Sequence, residues 1–321
     1  MIANVKILIP KLDNSGPANG AKALALWLSV GNDYNVEICE TKRNKVTLNK
    51  ADLVISMCFS ADLYAFVSKL QYNFKWISSL RSNIYQDYRY LYGRKGIILA
   101  FIHNLLLFKA DKVVCMYQSM IDGLMLALPQ KIVTISPNLI YDAKLMIDEV
   151  GFNLERLVVI GSLSKRKGVA DLADLFPIIK KKKLHLVFIG NGELKSFLES
   201  RAQHHNCCEY VTFLGFKQEP YSFLLTGDFV LSNSSSEGMS RALMDCVHRG
   251  VPVICKDIGD ASDFIVSHEN GFKFQNIAEL ARIIQELTMG TKKLTRVKLP
   301  DEYQPKNVSQ TWFKILERLL H

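Results

Sequence analysis

The sequence predicts an α/β protein with two doubly wound parallel-sheet domains, and three observations carry this prediction. Short apolar runs rich in β-branched residues alternate with segments of helical periodicity, and the alternation restarts halfway along the chain. A length of 321 residues accommodates two domains of ordinary size. A hydrophobic content of 49% beside 22% charged residues supplies an ample core under a polar surface.

Each strand is assigned to a short apolar run, and each helix to a segment whose apolar residues recur at helical spacing. In the first half the predicted strands are Val5–Pro10, Val36–Cys39, Leu53–Met57, Trp76–Leu80, Lys112–Cys115 and Lys131–Ile135, and the predicted helices are Lys22–Val30, Ala61–Leu70, Ile97–Phe108 and Met120–Ala127. In the second half the predicted strands are Leu157–Gly161, Leu184–Gly190, Tyr210–Phe213, Phe229–Leu231 and Val251–Cys255, and the predicted helices are Val169–Lys181, Glu193–His204, Ser240–Arg249 and Ala278–Met289.

The domain boundary is expected between residues 137 and 155, where the periodicity weakens. Residues 1–150 then form the first domain and residues 151–321 the second. The last segment, 308–320, predicts a short amphipathic helix with Trp312 and Leu316 on one side. Ligands of open parallel sheets bind at the carboxyl ends of the strands, so with two such domains the interdomain cleft is the expected site.

The net charge of +9 favours an anionic partner, such as a nucleotide or a phospholipid head group. No basic-aromatic stripe is present, so we expect no nucleic-acid partner. The seven cysteines are odd in number and form no C-x-x-C, which favours reduced thiols in a cytoplasmic protein. The first ten residues predict a buried strand rather than a signal peptide. The longest apolar run, 96–108, is too short to span a bilayer and predicts a buried core helix.

The most informative motif surrounds Glu237, where a strand enters a small polar loop that opens a helix. Free N–H groups and the helix dipole bind anions at such a place, so the backbone of Gly238, Met239 and Ser240 is expected to contact a phosphate. Glu237 beside that phosphate would hold neutral hydroxyls, which indicates a nucleotide sugar. Asp245 lies eight residues further, a separation of about 12 Å along a helix, close to that between the sugar and the ribose.

Other loops follow predicted strands and are candidates to contact the same ligand. The loop at 161–168 contains Ser162 and then three consecutive cations, Lys165, Arg166 and Lys167, which favour an anion at this strand end. Gly190 and Phe216 stand in the turns after the next two strands. A solvated basic turn and generic α/β turns are the alternative interpretations.

The loop after the first strand contains Gly16 and Gly20, which would let the backbone approach a ligand closely. The dinucleotide spacing G-x-G-x-x-G is absent, which argues against a dehydrogenase.

The motifs of the second half resemble those of the retaining glycosyltransferases of family 4, which have the GT-B fold of two Rossmann-like domains facing a cleft. That family carries E-G-x-x-x-x-x-x-E followed by G-x-P-V-I, and this sequence has Glu237-Gly238, Asp245 at the second acid and Gly-Val-Pro-Val-Ile at 250–254. The family segment G-R-L-x-x-x-K-G is matched at its K-G by Lys167-Gly168. Ser162 stands at its Arg position, where Lys165 or Arg166 could supply the missing charge.

In the first domain, residues 81–93 resemble the family's T-x-H-N-x-x-x-x-D-Y segment followed by Y-G. The resemblance implies that Arg81, Asn83 and Asp87 contact the acceptor, with Arg81 near the position of a reaction-centre His. The alternative for Arg81 is a strand-end residue paired with Asp87. The resemblance also implies that the last helix, 308–320, packs on the first domain.

The resemblance implies retaining transfer of a sugar from a nucleoside diphosphate to a hydroxyl of a glycan or polyprenyl-linked glycan. Lys167, Arg166 and Glu237 would be catalytic, and the donor-binding residues would be Gly16, Gly20, Ser162, Gly190, Phe216, Gly238, Met239, Ser240 and Asp245. No metal or cofactor is expected, and a UDP-sugar is favoured over a GDP-sugar.

The setting implied by the resemblance is surface polysaccharide synthesis, such as that of capsule or lipopolysaccharide. We expect a cytoplasmic protein in peripheral contact with the anionic inner face of the cell membrane. The alternatives are a non-catalytic nucleotide-sugar-binding subunit of the same fold and, less favoured, a dinucleotide-dependent oxidoreductase.

Overall fold

The computed structural model describes residues 3–13, 15–30, 34–42, 46–49, 52–141, 153–295 and 297–320. The chain divides into two compact units: unit 1, formed by residues 1–141 and 301–321, and unit 2, formed by residues 142–300. The predicted boundary between residues 150 and 151 lies outside the described residues.

Each unit contains one six-stranded parallel sheet. Unit 1 has the order β2-β1-β3-β4-β5-β6, with β1 Ala3–Ile9, β2 Tyr34–Glu40, β3 Leu53–Met57, β4 Lys75–Ser79, β5 Lys112–Cys115 and β6 Val133–Ile135. Unit 2 has the order β12-β11-β10-β7-β8-β9, with β7 Arg156–Ile160, β8 His185–Ile189, β9 Val211–Gly215, β10 Asp228–Ser232, β11 Val253–Lys256 and β12 Gly271–Phe274.

Ten α-helices are present in the described residues. They are α1 Gly16–Ser29, α2 Phe59–Lys69, α3 Ile84–Tyr92, α4 Arg94–Leu107, α5 Gln118–Asp122, α6 Phe176–Lys182, α7 Lys195–His204, α8 Arg241–His248, α9 Ile277–Thr288 and α10 Pro305–Leu320. None of them is long and apolar enough to cross a bilayer.

Helix α10 belongs to unit 1, although unit 2 separates it from the rest of that unit in the sequence. Its Trp312 and Leu316 are buried in the same apolar cluster as Ile7 of β1 and Leu24 of α1. Burial of these side chains stabilises the attachment of α10 by about 1.5–3 kcal/mol each.

Helix α1 begins at Gly16, six residues before the predicted start at Lys22. The Gly, Asn and Ser content of this segment is typical of a loop. However, Pro17 fits the first helical turn, and Ala18 and Ala21 are buried in the core of unit 1. Core packing here overrides the low helix propensity of the sequence.

Three other elements of the structure, β12, α3 and α5, differ from the prediction. Strand β12 is not predicted because its sequence, Gly-Phe-Lys-Phe, contains no β-branched residue. Helix α3 is not predicted, and its first turn is capped by the Asn83 side chain, which accepts a hydrogen bond from Gln86 N at 3.1 Å. The helix predicted at 120–127 is observed as α5 and ends at Asp122.

The prediction of a buried core helix over the apolar run is only half right. Helix α4 buries Gly96, Ala100 and Leu107 on one side. The opposite side of the helix is exposed and includes Ile98 and Ile102.

Candidate functional site

Two loops of unit 2 leave the sheet at the point where its strand order reverses. Strand β7 pairs with β8 on one side and with β10 on the other, so the chain winds in opposite directions from this point. Open parallel sheets bind ligands beyond the carboxyl ends of the strands at such a point. We call residues 161–168, which follow β7, the basic loop, and residues 233–240, which follow β10, the acidic loop.

The basic and acidic loops are held together through their backbones. Gly168 has φ +60°, and a Cβ there would lie under 3.0 Å from the carbonyl oxygen of Asn233. The side-chain amide of Asn233 donates to the Gly168 carbonyl at 2.7 Å, and the backbone N–H of Ser235 donates to the Arg166 carbonyl at 3.0 Å. Glycine is therefore required at 168 for this close approach.

Lys167 and Glu237 form an ion pair between the two loops, although seventy residues separate them in the sequence. The Ser234 hydroxyl donates to the same Glu237 oxygen at 2.7 Å. Burial acts to raise the pKa of Glu237, but the charge and hydrogen bond of Lys167, the bond from Ser234 and the charge of Arg166 together lower it below its usual value. Glu237 is therefore ionised at neutral pH and can accept hydrogen bonds.

Arg166 supplies a second cation against the acidic loop. Its Nη1 donates to the carbonyl oxygen of Ser236 at 3.0 Å. Ser162, at the position where the family carries Arg, is exposed, and its hydroxyl lies 3.2 Å from that of Ser164. Lys165 and Arg166 are the two residues expected to supply the positive charge that is missing at Ser162. Arg166 contacts the acidic loop, whereas Lys165 is exposed.

The acidic loop and helix α8 are arranged differently from the prediction. The helix begins at Arg241 with Ser240 as its N-cap residue, so Glu237 lies in the loop before it. The expected spacing of two helical turns between Glu237 and Asp245 is therefore wrong. Gly238 is half-buried, while Met239 and Ser240 are buried.

Asp245 is buried on α8 and accepts a hydrogen bond from the Tyr221 hydroxyl at 2.8 Å. Burial raises the pKa of Asp245 above its usual value, against the opposing charges of Arg241 and Arg249 and the bond from Tyr221. The Arg249 guanidinium lies over the Tyr221 ring, 4.8 Å from its centroid. Tyr221 was not predicted from the sequence, because nothing near it in the chain marks the contact.

Gly190 and Phe216 follow β8 and β9. Gly190 has φ +154°, and a Cβ there would lie under 3.0 Å from the carbonyl oxygen of Gly161 in the basic loop. The backbone of Gly190 therefore approaches the basic loop closely, and its contact with a donor stays a prediction. Phe216 is 56% exposed, so its ring is accessible to a ligand.

The predicted residues of unit 1 lie on or beside helices α1 and α3 and just after strand β4. Gly16 is the first residue of α1, and Gly20 lies in its second turn rather than in a loop. A Cβ on Gly20 would lie 2.8 Å from Nη2 of Arg81, so this glycine leaves space for the guanidinium. Arg81 also donates a hydrogen bond to the side chain of Asn138.

The two remaining candidates of unit 1 are on or beside α3. The Asn83 side chain caps this helix, and Asp87 lies in its first turn. Asn83 is buried, and besides capping α3 its side-chain amide donates to the carbonyl oxygen of Ser119 at 3.5 Å. Their contact with an acceptor stays a prediction.

We expect replacement of Asp245 by Ala to weaken donor binding about tenfold while turnover changes little. A contact made equally in the ground and transition states affects affinity and not the chemical step. Asp245→Glu keeps the carboxylate and should bind the donor nearly normally. Tyr221→Phe is the control, since it removes only the tyrosine hydroxyl. Isothermal titration with donor and steady-state kinetics measure both effects, and an unchanged dissociation constant in Asp245→Ala would remove Asp245 from the donor site.

Comparison with known proteins shows what this chain is similar to. Residues 149–298 match the family model of glycosyl transferases group 1. The O-antigen biosynthesis glycosyltransferase WclY of Escherichia coli is 27% identical over 239 residues, which are 71% of this chain and 67% of that protein. The putative teichuronic acid biosynthesis glycosyltransferase TuaC of Bacillus subtilis is 29% identical over 117 residues, 36% of this chain and 28% of that protein.

The fold is shared with solved structures. Anabaena Alr3699/HepE in complex with UDP-glucose superposes with a TM-score of 0.78 over 98% of this chain and 100% of that one, at 15% identity. The lipopolysaccharide outer core galactosyltransferase WaaB superposes with a TM-score of 0.65 over 99% of this chain and 95% of that one, also at 15% identity. The predicted fold class, an α/β protein of GT-B type with two Rossmann-like domains, is confirmed.

Proposed function

We propose, from the glycosyl transferases group 1 domain at residues 149–298, that this protein transfers a sugar from a nucleoside diphosphate sugar to a hydroxyl group. The observation that carries the proposal is the Lys167–Glu237 ion pair, held between two interlocked loops at the strand reversal of unit 2. This pair places a cation and a hydrogen-bond acceptor side by side, as a diphosphate next to a sugar requires.

The reaction breaks the bond between the anomeric carbon and the diphosphate, so negative charge builds on the leaving group. Lys167 and Arg166 would stabilise that charge, together with the backbone N–H groups around Gly238. Ionised Glu237 would accept hydrogen bonds from sugar hydroxyls. Asp245 would bind the ribose hydroxyls. These roles assign a different part of the donor to each charged group.

The donor and acceptor classes are supported by similar proteins. A structural neighbour is described in complex with UDP-glucose, which favours a UDP-sugar donor. Relatives are named for O-antigen and teichuronic acid synthesis, which favours a glycan or polyprenyl-linked acceptor in surface polysaccharide synthesis, including capsule or lipopolysaccharide. We propose that transfer retains the anomeric configuration, and that the protein works in the cytoplasm at the inner face of the cell membrane.

A panel of UDP-, GDP- and ADP-sugars in a thermal-shift assay tests the donor class. A ligand at about 100 times its Kd stabilises the native state by about 2.7 kcal/mol, so a UDP-sugar should raise the unfolding temperature clearly. Proton NMR of the product, or of the sugar released without acceptor, then gives the anomeric configuration. A protein that binds the donor but neither transfers nor hydrolyses it would be the binding subunit. The absence of any shift would contradict the proposal.

Lys167→Ala should lower turnover more than donor affinity, since the charge on the diphosphate grows toward the transition state. We expect a loss of at least about a hundredfold in kcat. Lys165→Ala, which removes an exposed cation from the same loop, is the matched control. An equal loss in both variants would mean that the general charge of the loop matters rather than Lys167.

We also expect EDTA to leave the activity unchanged. Among the described residues, no group of three or more His, Cys, Asp or Glu side chains could hold a metal ion. The lysine and arginine of the basic loop would take the charge-stabilising role that Mg²⁺ has in other phosphate sites. Activity assays with and without EDTA, followed by addition of Mg²⁺ or Mn²⁺, test this. Inactivation that either metal reverses would contradict it.

A further inference from the structure

Helix α4 in unit 1 buries its two polar uncharged side chains and exposes several large apolar ones. Its two polar uncharged side chains, His103 and Asn104, are buried at 2% and 1% exposure. His103 hydrogen-bonds through Nε2 to Asp62 of α2 at 2.7 Å, and through Nδ1 to the Tyr88 hydroxyl of α3 at 2.9 Å. Asn104 accepts a bond from Leu126 N at 2.6 Å. These hydrogen bonds fix how α4 is rotated about its own axis relative to the rest of unit 1.

The opposite face of α4 is apolar and exposed. Its side chains recur at helical spacing and are between 39% and 64% exposed: Ile98, Phe101, Ile102, Leu105 and Phe108. Helix α3, which packs beside α4, adds three exposed side chains, Tyr90, Leu91 and Tyr92. We call these eight residues the α3–α4 face. Eight exposed apolar or aromatic side chains on two adjacent helices indicate an interaction site.

Between Asp87 and Asp111, the charged side chains of the α3–α4 segment are all positive. Residues 88–110 contain no Asp or Glu and four cations, Arg89, Arg94, Lys95 and Lys109. All four are exposed at the ends of the two helices. An apolar helix face with basic ends and tyrosines matches the layers of an anionic bilayer surface, in which acyl chains lie below phosphates.

We propose that the α3–α4 face inserts into an anionic lipid surface, with α4 lying in the plane of the membrane. The helix has 14 residues, about 21 Å in length, so it cannot span the roughly 30 Å hydrocarbon core. The apolar side chains enter the interface, and the flanking cations contact lipid phosphates. The buried bonds of His103 and Asn104 hold this face outward before any lipid is present.

Sedimentation with vesicles tests the proposal without nucleotide or acceptor, so its result is independent of the transfer activity. The 321-residue protein should bind vesicles of phosphatidylcholine with phosphatidylglycerol at low salt, and bind less as salt rises. Phe101→Ser/Ile102→Ser should weaken binding at least about tenfold. Arg94→Glu/Lys95→Glu should weaken it about as much on anionic vesicles and have little effect on pure phosphatidylcholine.

The control is Phe197→Ser/Met289→Ser, which removes two exposed apolar side chains from unit 2. It should bind vesicles like the wild type, and the unfolding temperature of each variant shows that it is folded. No binding of the wild type to anionic vesicles would overturn the proposal, as would equal loss in the control. If analytical ultracentrifugation instead showed a dimer that Phe101→Ser/Ile102→Ser dissociates, the face would serve a second copy of the chain and the lipid proposal would be wrong.

Discussion

Replacing Glu237 by Ala is expected to abolish sugar transfer, a loss of at least about a thousandfold in kcat, while the protein stays folded. The carboxylate would hold the sugar hydroxyls and orient Lys167, so its removal affects both the sugar and the leaving group. The loops should keep their arrangement, because Gly168 and Ser235 join them through bonds that do not involve Glu237.

Initial rates with donor and acceptor, together with a thermal unfolding curve, measure this effect. Glu199→Gln is a matched control, since Glu199 also pairs with a lysine, Lys195 at 3.6 Å, but on the exposed surface of α7. This control should keep normal activity, because exposed ion pairs contribute only about 0–1 kcal/mol. Near-normal turnover in folded Glu237→Ala would reduce Glu237 to a structural residue of the loop.

Replacing Gly190 by Ala is expected to cause the largest loss of stability, about 3 kcal/mol or more. The positive φ of +154° disfavours any side chain, and the new Cβ would press on the backbone of Gly161, which cannot rotate away. Because Gly161 begins the basic loop, donor binding should be weakened in whatever fraction remains folded.

Urea unfolding followed by circular dichroism tests this prediction. Tryptophan fluorescence alone would miss it, because Trp27, Trp76 and Trp312 all belong to unit 1. Gly259→Ala is the control in unit 2: its φ is also positive, but no atom lies within 4 Å of its Cβ position. Its cost should be limited to about 1–2 kcal/mol of backbone strain. Equal losses in both variants would mean that the contact with Gly161 is unimportant.

The strands could be predicted because buried parallel strands are short, continuous apolar runs, as β3 and β5 are. The candidate loops could be predicted for the same reason, since they follow strand ends. The pairing of Lys167 with Glu237 could not be predicted, because it depends on β7 lying next to β10. No local sequence pattern determines the order of strands in a sheet. The sequence therefore indicates which loops matter but not which side chains meet.

Contacts between distant segments explain the other differences. Tyr221 meets Asp245 only because the short segment that carries Tyr221 packs against helix α8, so no local sequence pattern predicts the contact. Gly20 belongs to a glycine-rich stretch that resembles a ligand-binding loop, yet the stretch is helical and its missing side chain leaves space for Arg81. In both cases the tertiary fold, and not the local sequence, sets which residue is the neighbour.

The attachment of α10 to unit 1 has a consequence for protein synthesis. A ribosome makes the chain from its amino end, and domains generally fold as they emerge. Unit 2 is contiguous in the sequence, so all its residues are made before α10, whereas unit 1 must wait for that helix. The nascent first sheet therefore leaves part of its apolar surface uncovered until Trp312 and Leu316 leave the exit tunnel. A chain truncated before α10 would expose that surface permanently and become a target for chaperones and proteases.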